Sequence, residues 1–120
     1  MMEIIIHHAN EIKIAEVTFD GILIANAEDG LDLLGNLYYQ DVDRIIIHEK
    51  NISSDFFDLK TGIAGEILQK FSNYRVRLAI VGDFSAYQSK SIRDFIFESN
   101  KFRQINFVAS VPNAISKLSS

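Results

Sequence analysis

Apolar positions along the chain come in two kinds of pattern, and the two alternate. Residues 3–8 (EIIIHH) and 12–19 (IKIAEVTF) are rich in β-branched side chains and predict strands. Ala9-Asn10-Glu11 between them suits a short hairpin turn. After Asp20-Gly21, Ile22-Leu23-Ile24 reads as a short strand continuation. Asn26, Glu28 and Asp29 can then cap a helix over about 28–39, where Leu31, Leu34, Leu37 and Tyr38 recur at helical spacing. Arg44-Ile45-Ile46-Ile47-His48 is a continuous run of the kind covered on both faces, and predicts a strand over 43–49. Leu59, Ile63, Ile67 and Phe71 step by four and form one stripe, which predicts a helix over 59–71 with all but its first residue buried on the sheet. Glu66 and Lys70 face outward on the same helix, and Asn73 stops it. Val76–Val81 predicts a second buried strand ending at Gly82-Asp83. Ser91 with Asp94 three positions on reads as a capped helix start over 91–101, with Ile92, Phe95 and Ile96 inward. Residues 105–109 predict a last strand, and Pro112, Ala114, Ile115 and Leu118 a short final helix.

Three strands alternating with helices imply right-handed crossovers and a parallel sheet, to which the hairpin adds antiparallel strands. The expected fold is therefore α/β, a mixed sheet with helices packed on it, in a single domain spanning 1–120.

Composition narrows the function classes. At 120 residues and 48% hydrophobic, the chain can build a core without staples. It has no cysteine, which removes disulfides and thiolate chemistry. No apolar run approaches the roughly 18 residues of a membrane helix, and the first residues lack a signal peptide's pattern, so a soluble, cytoplasmic protein is expected. The net charge of −4 is uneven: residues 1–66 carry thirteen acids against four bases, and residues 67–120 three against eight. A net-acidic chain argues against nucleic-acid binding. The split is consistent with solvated faces that merely differ, or with head-to-tail association, and a homodimer is an expectation to test.

The order hairpin, helix, strand, helix, strand, helix, strand, short helix resembles that of STAS domains (sulfate transporter and anti-sigma-factor antagonist). In those domains a loop of the Asp-Ser-Ser-Gly type opens a helix, and Phe57-Asp58-Leu59-Lys60-Thr61-Gly62 sits at the corresponding place here. This chain has about one residue more, and the phosphorylatable serine of the antagonists maps on Thr61. A closer resemblance is to a bacterial family, domain of unknown function 4180. Residues 56–84 (FFDLKTGIAGEILQKFSNYRVRLAIVGDF) are similar to its core block, and residues 91–100 (SIRDFIFESN) to its second. That resemblance implies a STAS-like fold and leaves activity open.

Candidate chemistry collects around the 58–62 corner and the strand ends. Asp58 can cap the helix expected there, Lys60 supplies charge, Thr61 a hydroxyl, and Gly62 and Gly65 leave room for a close approach. The plainest reading is a cap and a packing seam; the functional readings are protein docking, phosphoryl acceptance at Thr61, or catalysis. Glu49 and Asp83 end strands at the carboxyl edge, where open α/β sheets place their sites, with Asp58 nearby. Three carboxylates there could hold a divalent cation or do acid/base work; acids at strand ends more often cap and face water. His7 and His8 point to opposite faces of one strand, His48 stands alone in another, and no zinc, P-loop or nucleophile motif occurs, so neither metal nor cofactor is expected. Phe56, Phe57, Phe84 and Tyr87 either form an exposed docking patch or seal the core rim. The expectation is a non-catalytic regulatory or interaction module with an unidentified protein partner. The alternative is a small-molecule binder or enzyme using Glu49, Asp58 and Asp83.

Overall fold

Asn10 and Glu11 both take left-handed φ values, 52° and 66°, as the primed two-residue turns demand. In the computed structural model, which describes residues 1–120, that turn joins β1 (Glu3–Ala9) to β2 (Ile12–Thr18) in an unbroken antiparallel register from Glu3 opposite Thr18 to Ala9 opposite Ile12. β2 then pairs in parallel with β3 (Arg44–His48), β3 with β4 (Arg77–Val81), and β4 with β5 (Ile105–Val108). The strand order is β1-β2-β3-β4-β5. The parallel run is thus one strand longer than the alternation alone predicts, because β2 of the hairpin joins it.

Helices α1 (Ala27–Tyr38), α2 (Ile63–Asn73) and α3 (Lys90–Phe102) connect the parallel strands in sequence order. Crossovers of one hand between consecutive neighbours put all three helices on one face. The main core lies there: Ala15, Val17, Ile45, Ile47, Leu78, Ile80, Ile105 and Phe107 meet Leu33, Leu34, Leu37, Ile67, Phe71 and Ile92. The alternate residues Ile14, Ile46, Ala79 and Val108 meet Ala114 and Leu118 of α4 (Val111–Leu118) on the other face. Runs such as Ile45-Ile46-Ile47 are apolar throughout because both faces are covered. Arg44 and Arg77, register partners at the starts of β3 and β4, reach under α4. Arg44 Nε donates to the Leu118 carbonyl at 3.0 Å and Arg77 Nη2 to that of Lys117 at 2.9 Å. They satisfy orphan carbonyls and oppose the negative end of the helix.

Asn26 caps α1 as expected: its Oδ1 accepts from the Asp29 N–H, while Asp29 Oδ2 accepts from that of Ala25, both at 2.9 Å. Other boundaries differ from the sequence reading. The stripe from Leu59 does not form one helix. Leu59–Thr61 is a separate 3-10 turn, Gly62 adopts φ 79°, and α2 begins only at Ile63. Ile63 is half-buried rather than buried, since it sits at the first turn beside the rim. Glu66 and Lys70 are exposed, as expected. α3 starts at Lys90 after Ser89, whose side chain makes no capping bond, and Asp94 pairs with Lys90 at 2.7 Å instead of completing a box with Ser91. Residues 22–24 are not a strand. Ile24 makes a single parallel bridge to Ile52, and Asn51 pins the loop by donating to the Phe19 and Gly21 carbonyls at 2.9 Å each.

Candidate functional site

Glu49 follows β3 directly, in a short 3-10 turn (Glu49–Asn51), and leans across the end of β4. Its Oε1 accepts from the Asp83 N–H at 3.2 Å and its Oε2 from the Tyr87 hydroxyl at 2.6 Å. Burial, then the hydrogen bond to Glu49 and its charge, push the Tyr87 phenol far above its ordinary range. Asp83 turns the other way. Its Oδ1 accepts from both the N–H and the hydroxyl of Ser85, at 3.0 and 2.7 Å, and these bonds lower its pKa. The carboxyl edge thus brings Glu49 and Asp83 together, but as fasteners of the β4–α3 loop.

Asp58 stands apart. It is exposed and accepts from the Lys60 N–H at 3.2 Å, capping the 3-10 turn rather than α2. The Thr61 hydroxyl lies within 2.8 Å of the carbonyls of Asp55 and Asp58 and accepts from the Ile63 N–H at 3.3 Å. Every partner is backbone, yet Thr61 is exposed, as are Asp58 and Lys60. Gly62 is needed for its left-handed φ, not for a close neighbour; a Cβ at Gly62 or Gly65 would meet nothing within 4 Å. The α2 N-terminus is therefore open, and a shallow hollow beside it is lined by Gly62, Gly65, Glu66, Gln69 and Lys70. Glu49, Asp58 and Asp83 line neither this hollow nor the one against α3.

Behind the corner the aromatics seal the core. Phe57 stacks on Tyr87 at 4.5 Å between centroids and meets Phe56 edge-on at 4.9 Å; Phe84 meets Phe107 edge-on at 5.2 Å. Phe56 and Phe57 are buried and Phe84 and Tyr87 half-buried, so the cluster is a rim rather than an exposed patch. Outside it, an open hollow of about 700 Å³ lies against α3, lined by Phe84, Tyr87, Arg93 and Phe97 among others.

The sequence reading missed one constellation. Glu16, on β2, is buried, and its two oxygens are taken by two imidazoles. His7 Nε2 lies 2.9 Å from Oε1 and His48 Nε2 2.8 Å from Oε2. Burial raises the Glu16 pKa, but the hydrogen bonds and charges of the two histidines outweigh it, and the carboxyl sits below its ordinary value. The register explains the meeting: Glu16 pairs with Ile5 on one side and Ile46 on the other, which puts His7 and His48 on its own face two residues away. Strand parity could have placed these three on one face, but only the register makes them neighbours. Each imidazole occupies a separate oxygen, and no group of three or more such side chains is arranged to hold a metal ion.

A five-stranded mixed sheet with three helices on one face and one on the other, carrying an open loop-to-helix corner, defines an α/β domain. Residues 9–118 match the family described as Domain of unknown function (DUF4180), and the chain belongs to that family. None of the curated proteins matches it. No helix is long and apolar enough to cross a membrane.

Proposed function

We propose that the domain is a non-catalytic, STAS-like docking module that binds a protein partner at the Asp58–Gly62 corner. The observation that carries this reading is the contrast between the acids. Glu49 is committed to bridging the Asp83 N–H and the Tyr87 hydroxyl across the strand ends, whereas Asp58, Lys60 and Thr61 are exposed on a turn beside the α2 N-terminus, and the hydrogen bonds of Asp58 and Thr61 stay within residues 55–63. An enzyme of the carboxylate type would need its acids to converge on a cavity; that none of the three lines the hollow against α3 or the one beside α2 supports docking over catalysis. The consecutive strand order with an antiparallel first strand supports the STAS-like part of the reading. The Thr61 hydroxyl ties the turns, its single hydrogen shared between the Asp55 and Asp58 carbonyls, and a phosphate on it would give up that tie.

The test is capture from an extract of the native cell with the immobilised domain, followed by reconstitution from purified components. Lys60→Glu and Gly62→Asp are compared with Lys101→Glu, an exposed control on α3. A partner retained by the wild type and the control, lost by the Lys60 variant, and binding one-to-one when purified is the expected result. Retention insensitive to the corner contradicts the reading.

A further inference from the structure

The two edges of the sheet differ sharply. β5 is four residues long and buried throughout. β1 is seven residues long, carries no proline, lysine or arginine, and runs against β2 without a bulge. Natural proteins blunt such an edge with charge, proline or irregularity, and β1 has almost none of these devices. Instead it exposes Ile5 at 45% and Ile6 at 39%, with Met2 just before it at 41%.

We infer that β1 is a self-association edge, on which a second copy of this chain pairs antiparallel through a two-fold axis at Ile5. The inference stands independently of the docking corner. In a two-residue hairpin the closing pair, Ala9 and Ile12, is hydrogen-bonded, so the alternate residues Glu3, Ile5 and His7 bond to β2. The N–H and C=O groups of Ile4, Ile6 and His8 then point to the free edge. A two-fold axis perpendicular to the sheet pairs only residues of the same face. Centred on Ile5, it sets Ile4 against Ile6 of the second copy as hydrogen-bonded pairs, and Met2 against His8. Ile5 meets its own counterpart as a non-hydrogen-bonded pair. Glu3 comes opposite His7, acid facing base, in both halves. Centring on Ile4 or Ile6 puts Glu3 opposite Ile5 or Ala9 and loses that match. Self-complementarity in apolar and polar pairs points to a second copy rather than a foreign strand.

Sedimentation velocity on the whole chain tests this. The wild type should dimerise with concentration, and Ile6→Lys should raise the dissociation constant by at least about tenfold, a charge on an edge strand being the natural block to pairing. Circular dichroism of the variant verifies that it folds. The register is read separately by cross-linking, since the chain has no cysteine of its own. Cα atoms of a non-hydrogen-bonded pair lie about 4.5 Å apart, within the roughly 4.4–6.8 Å that a disulfide spans. Ile5→Cys should therefore oxidise to a covalent dimer, while Ile22→Cys, similarly exposed but outside the strand, should not. A wild type that stays monomeric at its solubility limit overturns the inference, as does a dimer indifferent to Ile6→Lys. A dimer locked by Ile6→Cys but not by Ile5→Cys overturns the register and its Glu3–His7 pairing.

Discussion

Gly82 leaves the space that Glu49 fills. A Cβ placed on Gly82 would lie 2.5 Å from Glu49 Oε1 and 2.6 Å from Glu49 Cβ. The first contact is with a movable carboxylate; the second is with an atom fixed by the backbone. Gly82→Ala should therefore cost about 1–3 kcal/mol, as overpacking does, and free the Tyr87 hydroxyl. Glu49→Ala should not restore stability, because it keeps the offending Cβ. Denaturant unfolding of the single and double variants checks this.

Glu16 should make stability depend on pH in the acid range. Its folded pKa is lowered, so between that value and the ordinary 4.5 the unfolded chain binds the proton that the folded chain refuses. Stability from this group is complete above about pH 5 and is lost as pH falls through the folded pKa. Glu16→Gln should flatten the slope of thermal midpoint against pH below 5. An unchanged slope would mean that the two histidine contacts do not form in solution.

Tyr87 gives the opposite sign at the alkaline end. Its folded pKa is raised, so the contribution is complete below pH 10 and is lost as pH climbs beyond it. Tyr87→Phe should lower stability at neutral pH by about 1–2 kcal/mol and weaken the fall above pH 10. Ultraviolet titration of the phenols, compared between wild type and variant, identifies the late-ionising group.

Gly30 and Ile67 form the seam between α1 and α2. A Cβ at Gly30 would stand 3.1 Å from Ile67 Cγ1 and Cδ1. Ile67→Ala should cost about 2–5 kcal/mol, as for a buried side chain, and Gly30→Ala should destabilise by crowding. In the double variant the inserted methyl enters the vacated space, so its loss should be smaller than the sum by about 0.5 kcal/mol or more. Strict additivity of the two unfolding free energies would show that the helices do not meet there.

What the sequence made legible follows from what each signal requires. The runs at Ile45–Ile47 and Leu78–Ile80 read as doubly covered strands because burial on both faces leaves no polar alternation. The Ile67–Phe71 stripe identified the inner face of α2 from local spacing alone. Its start was misplaced because Gly62 in left-handed conformation cuts the stripe, and spacing carries no record of φ. The positions of Glu49 and Asp83 at the carboxyl edge were legible from strand ends. Their commitment to Tyr87 and Ser85 was not, because it depends on how a loop folds back. His7, Glu16 and His48 escaped for a related reason: His7 and His48 lie 41 positions apart, and only the sheet register unites them around Glu16.

The docking account is tested most directly by amide hydrogen exchange on the domain alone and with the purified partner that it captures. The expected footprint is protection confined to residues 53–66, the turns around Asp58 and Thr61 and the first turn of α2, with β3 and β4 unchanged. Protection centred instead on Glu49, Asp83 and the β4–α3 loop, or a footprint that leaves the Asp58–Gly62 corner untouched, would contradict it.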